Sequence, residues 1–249
     1  MEKEDSMLLA AAEDKMDRCR SENYMTHTGF LDMRQKSLIH NALRGSCVFY
    51  GGYEDAERSI AVFLPDYYTE ADIENETPLC ILRAEAPKGG RPLTHRDYLG
   101  SLLGLGLERS VIGDIIVLEN GADIIVLSSV AEFLQNTYSK AGRSELKTEI
   151  VPISQLRLGE VRTAEKSDTV ASLRLDSLIS SAFNLSRAKA QEAIRQGLVF
   201  VNGIQCEKTD AFCEEGDKLV LRGKGKAVLS ELGGKTRKDR IFVKFKIYL

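Results

Sequence analysis

Leu185-Ser186-Arg187-Ala188-Lys189-Ala190-Gln191-Glu192-Ala193-Ile194-Arg195-Gln196-Gly197-Leu198-Val199-Phe200-Val201-Asn202-Gly203 is the stretch from which the rest of the chain is best read. Ala190, Ala193 and Ile194 recur at helical spacing, and Ser186 stands where a helix needs a cap, so a helix opens at Arg187 and closes at Gly197. The period then changes. Leu198–Val201 has the composition of a short strand, and Asn202-Gly203 predicts a tight turn into Ile204–Cys206. Working upstream, Leu175, Leu178, Ile179 and Ala182 form the apolar face of an earlier helix. Downstream, Lys218–Leu221 follows the turn residues Glu215-Gly216-Asp217. Ile241–Tyr248 alternates, with Lys244 and Lys246 on one face and Val243, Phe245 and Ile247 on the other, the pattern of a half-buried strand.

The first turn of the Ser186-capped helix holds Arg187 and Lys189 and no acid. Cations there oppose the helix dipole, at a cost of roughly 0.3–1 kcal/mol each. An anion bound at the same end reverses the sign, because free N–H groups, a hydroxyl and two cations converge on it. Charge along the chain points the same way. The 249 residues carry a net charge of −3, but from Asp168 onward there are 15 Lys and Arg against 10 Asp and Glu, and before it 19 against 27. Nine basic residues lie between Arg222 and Lys246, among them Lys224 and Lys226, against only Glu231 and Asp239. A basic module attached to an acidic remainder suits a polymer of repeated anions such as an RNA backbone. Two blander readings stay open: a solvated lysine-rich surface for 222–246, and a plain hairpin turn for Asn202-Gly203.

Arg174-Leu175-Asp176, Leu185-Ser186-Arg187, Gln196 through Gly203 and Glu215-Gly216-Asp217 together resemble the ribosomal protein S-four-type RNA-binding domain. The resemblance implies that Arg174, Ser186, Arg187, Lys189, Asn202, Gly203 and Lys208 line an RNA-contacting surface. Phe49-Tyr50-Gly51-Gly52-Tyr53-Glu54-Asp55-Ala56-Glu57-Arg58, Leu93 through Arg109 and Ile112-Gly113-Asp114-Ile115 extend the match. With the C-terminal module they make the chain similar to the YlmH family from about Met25 onward. That likeness implies a cytoplasmic RNA-binding protein that docks on ribosomal RNA of the large subunit, beside peptidyl-tRNA, in ribosome-associated quality control of stalled nascent chains. A scaffold linked to cell division or photosynthesis is the alternative left open.

From Pro78 the order of elements is strand 79–85, helix 95–107 capped by Thr94, strand 112–118, strand 123–128, helix 130–141 and strand 145–152. This β-α-β-β-α-β order is the ferredoxin-like arrangement of many RNA-recognition domains. Glu119-Asn120-Gly121-Ala122 carries the hairpin turn between its middle strands. Residues 80–83 and 123–127 offer no aromatic ring, so base stacking on this sheet is not expected. Ahead of it come a helix over 4–22, a second helix capped by Asp32, a hairpin of Cys47–Tyr50 with Ile60–Leu64, and an acidic surface connection from Asp66 to Glu76. The expected fold is α+β. Residues 1–74 are read as N-terminal helices and hairpin, 75–154 as the ferredoxin-like domain, 155–167 as a linker, and 168–249 as an αα-β RNA-binding domain with a basic last strand.

Several chemistries are not expected. Five cysteines without C-x-x-C spacing and three scattered histidines suit reduced thiols, no metal and no cofactor. No export signal or membrane span is indicated, no small-molecule substrate is expected, and the free chain is expected to be a monomer. His95-Arg96-Asp97 has the form of a kinase catalytic loop, but Leu102 occupies the asparagine position and no phosphate loop precedes it. Gly100, Gly104 and Gly106 are read instead as letting their helix approach the sheet and end. The serious rival is an RNA-modifying enzyme, since pseudouridine synthases carry an Arg-Leu-Asp triplet with a nucleophilic aspartate. Here the triplet lies within the RNA-binding module itself, and Asp176 is read as a first-turn acid of a non-enzymatic protein.

Overall fold

The computed structural model describes residues 3–54, 56–87, 89–159 and 163–248. Asp55 of the glycine-rich block and positions 160–162 of the expected linker lie outside the described residues. Two compact units divide the chain, Met1–Gly159 and Glu160–Leu249.

The first unit begins with α1 (Lys3–Glu22), β1 (Thr26–His27), α2 (Met33–Leu43), β2 (Val48–Tyr50), β3 (Ile60–Phe63) and α3 (Glu70–Asn75). Asp32 caps α2 in a reciprocal capping box with Gln35, as its position predicts. There follow β4 (Leu79–Glu85), α4 (His95–Gly104), β5 (Ile112–Leu118), β6 (Gly121–Leu127), α5 (Ala131–Thr137), the small hairpin β7 (Lys140–Ala141) with β8 (Ser144–Glu145), and β9 (Lys147–Pro152). The larger sheet has the antiparallel order β5-β6-β4-β9.

Alternation along β4 and β6 sends successive side chains to opposite faces. Leu82, Ala84, Ile124 and Val126 meet Tyr98, Leu102 and Leu134 on the helix side. Leu79, Ile81, Ile125 and Leu127 turn the other way, where Phe30, Ile60, Val62 and Ile73 cover them. The N-terminal elements therefore close the sheet face on which RNA-recognition domains stack bases.

Polar locks hold that layer in place. Asp114 accepts from the Tyr53 hydroxyl (2.9 Å) and from the Glu57 and Arg58 N–H groups (2.7 and 3.0 Å). Arg58 in turn donates to the carbonyls of Phe30, Arg109 and Ile112, each at 3.0 Å. Two blocks that carry the family resemblance in sequence thus serve to join the N-terminal layer to the sheet.

The second unit contains β10 (Thr163–Val170), α6 (Leu175–Ala182), α7 (Arg187–Arg195), β11 (Val199–Val201), β12 (Ile204–Gln205), β13 (Lys218–Leu221), β14 (Gly225–Lys235) and β15 (Ile241–Tyr248). Its antiparallel sheet runs β10-β15-β14-β13-β11-β12. Leu175, Leu178, Ile179, Ala182, Ala190 and Ile194 pack on Val199, Leu219, Leu229, Val243 and Phe245. Both helix faces and the β15 alternation agree with the spacing in the sequence.

Other expectations need correction. Residues 163–167 are not linker but the start of β10, which pairs with β15 from Thr163↔Tyr248 to Val170↔Ile241. The acidic connection contains α3, anchored by buried Ile73. The helix expected over 130–141 stops at Thr137, because Tyr138 is buried beneath α4 with its hydroxyl 2.9 Å from that of Ser101. The hairpin of β5 and β6 turns on Glu119-Asn120, with Gly121 already paired to Leu118. A Cβ at Gly121 would lie 2.2 Å from the Ala84 carbonyl oxygen, so close strand approach, not the turn, requires glycine there. Gly100 and Gly104 face open space and bring no close helix packing.

Candidate nucleic-acid interface

The C-terminal unit gathers its distinctive polar chemistry where α6 and α7 begin. Ser186 caps α7, its hydroxyl accepting from the Lys189 N–H at 3.3 Å, and the first turn of α7 has no acid. Arg174 is the N-cap residue of α6. Between the two helix starts lies the fully buried carboxylate of Asp176. Its Oδ1 accepts from Arg174 Nε (3.2 Å) and Arg187 Nη2 (3.4 Å). Its Oδ2 accepts from Gln191 Nε2 (2.7 Å), Arg187 Nε (3.1 Å) and Arg174 Nη2 (3.3 Å).

One carboxylate thus serves two guanidinium groups and leaves a surplus positive charge. The side chains of Arg174 and Arg187 remain 34% and 53% exposed, so each keeps donors toward solvent. Arg187 therefore has a structural partner that sequence reading did not supply, and its placement at the helix start is less costly than the dipole alone implies. Lys189 is exposed and has no ion pair among the described residues. Lys208 is exposed in the segment that returns to the start of α6, where Thr209 and Ala211 accept from the Asp176 and Leu175 N–H groups.

Burial by itself pushes the Asp176 carboxyl upward. The hydrogen bonds from Arg174, Gln191 and Arg187, with the charge of Arg187, outweigh it and bring the pKa down to about 2. A depressed carboxyl stabilises the fold above its unfolded value, near 3.9, and loses that contribution as pH falls through the folded value. Asp176→Asn is therefore expected to lower stability at neutral pH by about 2 kcal/mol. Urea denaturation should show its gap from the native chain narrowing between about pH 4 and pH 2. A gap independent of pH would contradict the charge-based role.

The remaining candidates separate. Asn202 and Gly203 have φ of 51° and 80°, the paired left-handed geometry of a two-residue hairpin turn. The Asn202 amide donates to Asp217 (2.8 Å) and accepts from the Lys218 N–H (2.9 Å), so this side chain ties the β11–β12 turn to the turn before β13. Lys224 and Lys226 stand at the opposite end of β13, as the pairing of Val199 with Leu221 and Val201 with Leu219 requires. Lys226 Nζ lies 4.3 Å from the Tyr248 ring centroid. Elsewhere in the basic tail, Lys235 pairs with Asp239 and Lys244 with Glu231, each at 2.8 Å. Sequence reasoning missed Asp176 and Gln191 as the joint holding the arginines. The available signal was the four-residue spacing of Arg187 and Gln191 on one helix face.

A family model described as "Putative RNA-binding domain in YlmH" matches residues 74–155, and the S4 domain model matches residues 173–219. Over 225 residues the chain is 35% identical to "Ribosome-associated protein quality control protein P2" of Bacillus subtilis (strain 168), covering 89% of this chain and 86% of that protein. The chain belongs to the YlmH family. A solved structure, "Cell division protein ylmH from Streptococcus pneumoniae", is similar in fold, with a TM-score of 0.50 at 22% identity over 62% of this chain and 95% of that one.

In this YlmH family member the S4 match contains the whole Arg174–Asp176–Arg187 cluster with Lys189 and Lys208, and ends before Lys224 and Lys226. The Bacillus relative is not named as an enzyme. Asp97, of the kinase-like triplet, accepts from the Thr94 N–H and hydroxyl in a capping box. Among the described residues no group of three His, Cys, Asp or Glu is placed to hold a metal ion, and no helix is long and apolar enough to cross a membrane.

Proposed function

We propose that this chain is a non-enzymatic, cytoplasmic adaptor, monomeric when free and needing no cofactor, that docks through its C-terminal unit on ribosomal RNA of the large subunit. The reading extends to quality control of stalled nascent chains beside peptidyl-tRNA, in line with the name of the Bacillus relative. The observation that carries it is the cationic face at the starts of α6 and α7: two exposed lysines, and two arginines sharing one buried carboxylate, inside the S4 match. Such a face meets phosphates with charge-assisted bonds from guanidinium forks and helix N–H groups. Arg174, Arg187, Lys189 and Lys208 are the proposed contacts, with Ser186 and the Asn202-Gly203 turn shaping the surface and Lys224 and Lys226 reaching RNA from the far end of β13.

The strand order of the middle sheet suits the ferredoxin-like class, and we assign 1–74 as its covering layer, 75–154 as the domain proper and 168–249 as the RNA-binding domain. With one sheet face covered by helices and the other by the N-terminal elements, the middle domain serves better as a spacer or partner surface than as a base-reading sheet. A nucleophilic role for Asp176 is disfavoured by its burial and by the three side chains that occupy its oxygens.

Cosedimentation with purified large ribosomal subunits across a salt series tests the proposal. Log affinity is expected to fall by roughly 0.7–0.9 per decade of salt for each phosphate neutralised. A flat profile would point to a protein partner. The enzyme alternative has its own test, mass mapping of modified nucleotides in RNA from a deletion strain. A missing modification restored by the native chain and not by Asp176→Asn would overturn the non-enzymatic assignment.

A further inference from the structure

Phe212 is 76% exposed, the only large hydrophobic side chain among the described residues of the C-terminal unit to stand so far into solvent. Its position is set by the backbone. The Cys213 N–H donates to the Leu173 carbonyl at 3.0 Å and the Leu175 N–H to the Ala211 carbonyl at 2.7 Å, with Arg174 and Phe212 facing each other in an antiparallel bridge between them. The two residues therefore form a non-hydrogen-bonded pair, in which Cα atoms approach to about 4.5 Å and side chains stand together on one face. An aromatic ring is thereby held beside an arginine that is itself joined through Asp176 to Arg187.

No packing explains the exposure. Phe200 and Phe245 supply aromatic bulk to the core, while Phe212 sits between Asp210 and Glu214, both exposed. A protein-docking aromatic is ordinarily ringed by other apolar groups that exclude water. Phe212 is instead flanked along the chain by two exposed acids and faces Arg174 across the bridge. A nucleobase suits such a place, since it needs one flat apolar face to stack on and carries a phosphate that the neighbouring guanidinium groups receive.

We infer that Phe212 is a stacking platform for one unpaired RNA base, with Arg174 and Arg187 holding the adjoining phosphate. This rests on the RNA-docking reading above and adds that the module reads an unstacked nucleotide as well as a charged backbone. Two measurements on the full chain test it. In the first, binding to purified large ribosomal subunits is compared for the native chain, Phe212→Tyr, Phe212→Leu and Phe212→Ala. Tyrosine should retain affinity, whereas alanine should weaken it roughly 5- to 100-fold. Leucine should behave like alanine, and the salt slope should be unchanged in all four. Affinity unaffected by alanine, or restored by leucine, would overturn the inference. In the second, Phe212→Trp gives the chain its only tryptophan. Its fluorescence should be quenched by deproteinised large-subunit RNA; unchanged emission at saturating RNA would overturn the stack and point to a protein contact. A native chain that bound no subunits would refute the docking reading itself, whereas normal native binding with an indifferent Phe212→Ala would refute the base stack alone.

Discussion

Replacing Lys189 and Lys208 together by glutamate is expected to weaken binding to large ribosomal subunits on the order of 100-fold at about 0.1 M salt, without lowering the thermal unfolding temperature, since an acid in the first turn of α7 suits the helix dipole. Both side chains are exposed and have no ion pair among the described residues, so neither stabilises the fold through a partner. Each cation that neutralises a phosphate contributes close to one power of the salt concentration to the binding constant, and reversal adds repulsion to that loss. The log–log salt slope should therefore become shallower in the double variant. Arg187 is the less informative target. A glutamate there would face the buried Asp176 carboxylate, and lost binding would be confounded with a disturbed α6–α7 joint. Native affinity in the double variant would remove these lysines from the interface.

Asp123→Ala should produce the largest loss of stability in the N-terminal unit, about 3–5 kcal/mol by the usual cost of removing one partner from a buried ion pair. Asp123 is fully buried on β6, directly opposite Arg83 of β4, and accepts from that side chain twice at 3.1 Å. Arg157 closes on the same carboxylate through its backbone N–H at 3.0 Å and its guanidinium at 2.6 Å. Burial pushes the Asp123 carboxyl up, and the bonds from Arg83 and Arg157 more than reverse it. Without the carboxylate, Arg83, only 12% exposed, would be left beside a second cation, and the chain after β9 would lose its anchor. Urea denaturation should show a lower midpoint, with Asp123→Asn intermediate. An unshifted midpoint would mean that this joint does not hold the segment.

Much of the fold was legible because the buried surface has simple periods. α6 and α7 show their apolar faces at helical spacing, β15 alternates, and β4, β5, β6 and β9 form where β-rich runs separated by helical stretches predict strands. What escaped has identifiable causes. Thr163–Val170 is an edge strand with a mostly exposed, polar pattern, so no apolar alternation marks it, and only its pairing with β15 makes it a strand. β14 mixes glycine and lysine with its buried Ala227 and Leu229, and register shifts break its alternation after Leu229. The covering of the middle sheet by the N-terminal elements is a long-range packing fact that local pattern does not encode.

At the candidate interface the helix cap and the exposed lysine were readable from residue type and position. The Asp176 joint was not, because three groups from two helices converge only after folding. Asn202 was recognised as a turn residue, but its amide bonds to Asp217 and Lys218 belong to tertiary structure. Phe212 gave no sequence signal, since phenylalanine is usually buried and residue type alone does not mark one that stands in solvent.

Ultraviolet crosslinking of the full chain to large ribosomal subunits, with the joined peptide and nucleotide both sequenced, tests the central claim most directly. Crosslinks should join ribosomal RNA to peptides around Arg174, Ser186–Lys189 and Lys208–Phe212. Crosslinks confined to Met1–Gly159, or to ribosomal proteins alone, would contradict the assignment of the C-terminal unit as the RNA grip.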